Sequence, residues 1–113
     1  MVNISIDKEG GSNLIKVIGE IDASSSIKLD DALKTTSDAG LPIVMNLEGL
    51  NYISSAGLGV FISYLEELKT KNIKFVLFGL QPAVKEVFDI LGLNQIMNIV
   101  VTKEDALRIA NEA

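Results

Sequence analysis

A chain of 113 residues, 48% hydrophobic and 22% charged, is sized and composed for one packed domain, here read as residues 1–113, and not for a disordered segment. Fifteen acidic against ten basic residues leave a formal charge of -5, the wrong sign for a nucleic-acid or anionic-membrane partner and the right one for a basic protein surface. With no cysteine and no histidine, disulfides, thiolate metal sites, cysteine nucleophiles and serine–histidine catalysis are excluded, and neither a cofactor nor a metal is expected.

Val2, Ile4 and Ile6 alternate with Asn3, Ser5 and Asp7, the period of a half-buried strand. Gly10-Gly11-Ser12-Asn13 supplies turn chemistry, and Leu14 to Ile18 completes a hairpin. After Gly19-Glu20-Ile21-Asp22, the residues Ile27, Leu29, Ala32 and Leu33 fall at helical spacing. Gly40 is a helix stop and Pro42 forbids continuation, so a helix is predicted over about 24–39. The apolar run Ile43-Val44-Met45 reads as a third strand. From Leu58 onward, Phe61, Ile62, Leu65 and Leu68 keep the rhythm of an amphipathic helix.

Phe75 to Phe78 is a fourth strand, and Pro82 opens a helix carrying Val84, Val87, Phe88 and Leu91 to a stop at Gly92. Ile96 to Val101 is strand-like, and Thr102, with Asp105 three residues on, caps a last helix. The order β-β-α-β-α-β-α-β-α predicts an α/β fold: a mixed, mostly parallel five-stranded sheet with an N-terminal antiparallel edge strand and four helices. No apolar run approaches the roughly 18 residues of a membrane span, and the start leads directly into strand alternation, so a cytoplasmic protein is expected.

The stretch Ser54-Ser55-Ala56-Gly57-Leu58-Gly59 lies at a strand-to-helix junction. A helix N-terminus presents unpaired amides and the positive end of the macrodipole, which favour a nearby phosphate, while Gly57 and Gly59 let another protein approach closely. The plainer reading is that one serine is an ordinary N-cap. The glycines lack the third glycine of a dinucleotide fingerprint and the lysine of a P-loop, and Gly-x-Ser-x-Gly is absent. Asp30 and Asp31 fall inside a predicted helix, which sets aside a magnesium-dependent receiver domain.

Tyr52 to Phe61, with Gly19-Glu20-Ile21-Asp22 and Val87-Phe88-Asp89-Ile90-Leu91-Gly92-Leu93 in the expected order, resembles the anti-sigma factor antagonists of the STAS domain family, and the likeness spans nearly the whole chain. The resemblance implies partner switching. The unmodified antagonist binds an anti-sigma factor that is also a serine kinase and thereby frees the sigma factor; phosphorylation ends the complex, and a metal-dependent serine phosphatase resets it. In that family an aspartate precedes the acceptor serine. Carried onto this sequence, the acceptor is Ser55, Ser54 stands in the aspartate's place and is the alternative acceptor, and Ala56 follows. Asp22, Ser54, Ser55, Gly57, Leu58 and Gly59 are then expected in or beside the partner-binding surface, although Asp22 also suits a cap before the first helix.

Two other functions fit the same residues. One is a constitutive STAS scaffold, in a signalling assembly or regulating a transporter. The other is a small-ligand or nucleotide module that uses the helix amides as a phosphate site.

Overall fold

The alternation at Val2, Ile4 and Ile6 becomes strand β1 (Val2–Glu9), which pairs antiparallel with β2 (Ser12–Ile21) in the computed structural model, where residues 2–112 are described. The two-residue turn between them requires positive φ at both positions, which Gly10 and Gly11 supply at +59° and +81°. The remaining elements are α1 (Ser26–Ala39), β3 (Ile43–Ile53), α2 (Ser55–Thr70), β4 (Phe75–Phe78), α3 (Pro82–Ile90), a 3-10 turn (Leu93–Gln95), β5 (Asn98–Val100) and α4 (Lys103–Ala110). The sheet runs β1-β2-β3-β4-β5, parallel throughout except at the β1 edge. The expected element order and mixed sheet are both present.

Helices α1, α2 and α3 cover one face of the sheet and α4 the other. Leu29 and Leu33 of α1, Phe61 and Leu68 of α2, and Val84 and Phe88 of α3 bury against Ile15, Met45 and Leu77, which stand side by side in register across β2, β3 and β4. Phe61 is the hinge of this layer. Its ring stacks on Phe75 at 6.3 Å between centroids and meets Phe88 edge-on at 5.6 Å. Its complete burial contributes about 1.5–3 kcal/mol. On the opposite face, Ala106 and Ala110 of α4 close over Val44, Val76 and Phe78.

Strand β2 extends beyond the expected Leu14 to Ile18 at both ends, and three further boundaries differ from the sequence reading. Helix α1 begins at Ser26 and not at residue 24; residues 23–25 form a turn in which the Ser24 and Ser25 amides donate to the Asp22 carboxylate. Strand β5 begins at Asn98 because the 3-10 turn engages Ile96 and Met97, whose amides donate to the Leu93 carbonyl at 3.1 and 2.9 Å. Strand β3 runs on to Ile53, and this third difference positions the site.

Between the pairs Lys16–Asn46 and Ile21–Ile53, β3 carries two more residues than β2, taken up at two register shifts. Such bulges break the period-two alternation while keeping the strand paired. Gly49 sits at the first shift, where a Cβ would come within 2.9 Å of the Ile18 side chain. As a result β2 and β3 end level, at Ile21 and Ile53.

Candidate functional site

The level ends of β2 and β3 bring two strand-to-helix turns together. The Ser54 N–H donates to the Ile21 carbonyl at 2.8 Å, extending the ladder by one step before the chain bends into α2. Ser54 has extended dihedrals, its hydroxyl accepts from the Gly57 N–H at 3.3 Å, and its carbonyl accepts from the Leu58 N–H at 3.0 Å. These are the attributes of an N-cap. Ser55 is the first helical residue and is exposed, whereas Ser54 is half-buried.

The neighbouring turn is organised by Asp22. Its Oδ1 accepts from the Ser25 N–H at 2.8 Å and the Ser24 N–H at 3.0 Å, with the Ser24 and Ser25 hydroxyls each at 2.9 Å. Ser25 Oγ in turn accepts from the Asp22 N–H at 2.8 Å. Bonding to the Ser25 amide, then to the two hydroxyls, holds the carboxyl down at about 2, below its ordinary 3.8. Asp22 is therefore an anion at neutral pH in the turn next to the α2 N-terminus, since Ile21, which precedes it, accepts from the Ser54 N–H. Its Oδ2 carries no hydrogen bond among the described residues.

The two glycines have different duties. A Cβ on Gly57 would lie 2.7 Å from Ile21 Cγ2 and 2.9 Å from Ile53 Cγ1, so this glycine lets α2 seat directly on the two strand ends. Gly57 and Leu58 are both buried and shape the face from beneath. Gly59 is exposed and a Cβ there would meet nothing within 4 Å, which leaves bare backbone one turn beyond Ser55.

Sequence reasoning missed how much apolar side chain β3, α1 and α2 leave exposed. Tyr52, Ile27 and Ile62 are 50%, 65% and 46% exposed, from β3, α1 and α2 respectively. Tyr52 directly precedes the junction and was legible as one of only two tyrosines; the exposure of the isoleucines depends on how the helices dock. Among the described residues no group of three or more carboxylates could hold a metal ion. A hollow lined by Tyr52 and Ile53, the residues that precede the serines, measures about 210 Å³, under the roughly 300–1,000 Å³ of small-molecule pockets.

The sequence model described as STAS domain matches residues 3–106. The anti-sigma-B factor antagonist of Listeria monocytogenes is 35% identical over 102 residues, covering 87% of this chain and 90% of that one. In three dimensions the chain resembles an anti-sigma factor antagonist from Mycobacterium paratuberculosis, with a TM-score of 0.90, 22% identity and coverage of 99% of this chain and 96% of the other. It also resembles the Bacillus cell fate determinant SpoIIAA in its phosphorylated form, with a TM-score of 0.73, 23% identity and coverage of 95% and 98%.

Proposed function

We propose that this chain, which belongs to the STAS domain family, is an anti-sigma factor antagonist whose binding is switched off at Ser55. Unmodified, it binds an anti-sigma factor that is also a serine kinase, and the sigma factor is released. The kinase then moves the γ-phosphoryl group of ATP to Ser55 Oγ, ADP leaves, the hydroxyl gives up its proton, and the complex parts. A serine phosphatase hydrolyses the phosphate ester with water, releasing inorganic phosphate and restoring the hydroxyl. The exchange takes place in the cytoplasm, where the sigma factor works, and the chain takes part as a substrate without a cofactor of its own.

The observation that carries this reading is the division of labour between the two serines. Ser54 is half-buried with its oxygen accepting from the Gly57 amide, while Ser55 is exposed on the first turn of α2. Serine and aspartate cap helices about equally well, so Ser54 preserves the turn that the family's aspartate would make, with one negative charge fewer. Asp22 remains as the anion of this end. The fold itself is compatible with the modification, since a phosphorylated protein shares it.

Incubation with the cognate anti-sigma factor and ATP, followed by mapping of the modified residue by mass spectrometry, tests the assignment. Phosphate is expected on Ser55 in the parent and absent from Ser55→Ala, which should still bind. Phosphate confined to residues outside 54 and 55 overturns the reading, and phosphate on Ser54 overturns the division of labour.

A further inference from the structure

Next to the serines, the end of β3 and the flank of α3 enclose a mostly apolar groove of about 210 Å³. Ile53 and Val84 are its most buried lining residues, while Tyr52, Ala83 and Val87 line its more open parts. Ile53 immediately precedes the cap residue Ser54, so the groove opens within two residues of the acceptor hydroxyl. It does not end there. Ala83, Val87 and Ile90 follow one another at i, i+4 and i+7 along α3, and Ile90 is 75% exposed, so an apolar strip continues from the groove down the helix.

Glu86 lies on the exposed flank of α3, Glu48 stands at the α3 mouth with its carbonyl accepting from Gln81 Nε2 at 2.9 Å, and Asp22 lies in the turn beside Ser54. The lysine of α3, Lys85, is already paired with Asp89 at 2.8 Å. An apolar hollow too small for a nucleotide, with the exposed Glu86 beside Val87 and a chain of net charge -5 around it, suits a protein side chain whose neighbours are basic.

We propose that this groove is the docking pocket for the anti-sigma factor: it receives one apolar anchor side chain from a segment carrying lysine or arginine beside the anchor, and so holds the kinase against Ser55. The inference rests on the function proposed above and adds where the affinity resides. Docking and phosphoryl transfer are then separable, because the groove residues touch the partner and not the reacting hydroxyl.

The test uses Ala83→Arg, which sits at an exposed helical position tolerant of arginine, and Tyr52→Ala, each checked for an unchanged circular dichroism spectrum and melting temperature. Against the purified anti-sigma factor, both should bind about tenfold or more weakly than the parent. The kinase's KM for each variant should rise by a similar factor while kcat at saturation stays near the parent value. Both variants binding within about twofold of the parent, with Ser55 still phosphorylated, overturns the groove assignment and leaves the antagonist reading intact. A parent dimer that Ala83→Arg dissolves, with affinity for the anti-sigma factor unchanged, reassigns the groove to a second copy of this chain. A parent that neither binds the anti-sigma factor nor is phosphorylated by it overturns both the function and the groove.

Discussion

Gly57 and Gly59 are two residues apart on the same helix turn, yet the same substitution should act on them in opposite directions. Alanine in place of a helical glycine gains about 0.5–1 kcal/mol from backbone entropy. At Gly59 nothing opposes that gain, since a Cβ meets open space, and Gly59→Ala should be more stable than the parent by that amount. At Gly57 the added methyl lands 2.7 Å from Ile21 and 2.9 Å from Ile53, side chains with little or no room to retreat. Overpacking of this kind costs about 1–3 kcal/mol, so Gly57→Ala should be net destabilised. Urea denaturation of the three proteins checks the order, and a stabilised Gly57→Ala would mean that α2 does not bear on the strand ends as described. The sequence offers Gly-Leu-Gly as one feature; only the placement of Ile21 and Ile53 separates a packing glycine from a bare one.

The turn between β2 and α1 acts as a unit built on one carboxylate, and its acid titration should report that. Asp22 titrates at about 2 in the fold and near 3.8 when its partners are lost, so its bonds stabilise the fold fully above about pH 4. That contribution fades as pH falls from there and is gone below the folded value near 2. A carboxylate NMR titration should place the Asp22 midpoint near 2, with the Ser24 and Ser25 amide signals moving in step. Asp22→Asn should abolish the step in those amides; an Asp22 midpoint at the ordinary value would show that the turn is not closed in solution. The parts of this and other elements that were legible are the locally encoded ones. Gly40 adopts positive φ after α1, and Thr102 accepts from the Asp105 N–H at 3.2 Å, as their spacing predicts. What was illegible depends on a second element: the β3 bulges answer to the register of β2, and Ser37 of α1 meets Glu67 of α2 at 2.8 Å across 30 residues. Ser37 donates there and holds the Glu67 carboxyl below its ordinary range, while Lys71 Nζ donates to the same hydroxyl at 2.8 Å, joining α1 and α2 at their far ends from Ser55.

At the scale of the whole molecule, the proposed switch requires that a phosphate break a complex without breaking a fold. A phosphoserine at position 55 takes the chain from -5 to about -6.5 to -7. For the fold this is mild. Ser55 begins α2, ahead of the first full turn, where an added anion is worth about 0.3–1 kcal/mol in stability through the helix dipole. For the proposed complex it would be severe, because the same charge would have to be desolvated against a partner surface fitted to a neutral hydroxyl, and truncated or unmatched buried charges cost about 2–5 kcal/mol. That corresponds to roughly 30-fold to several-thousand-fold in Kd. The phosphorylated protein should therefore melt at or slightly above the temperature of the unmodified one while losing measurable affinity for the anti-sigma factor, and Ser55→Glu should do the same to a smaller degree. Differential scanning calorimetry and titration calorimetry on the same samples separate the two effects. Equal affinity in both forms would leave Ser55 as a mark without a switching role. A fall of many degrees in melting temperature would mean that affinity is lost by unfolding, and the helix mouth would not be the tolerant platform that its exposed first residue and separate cap describe.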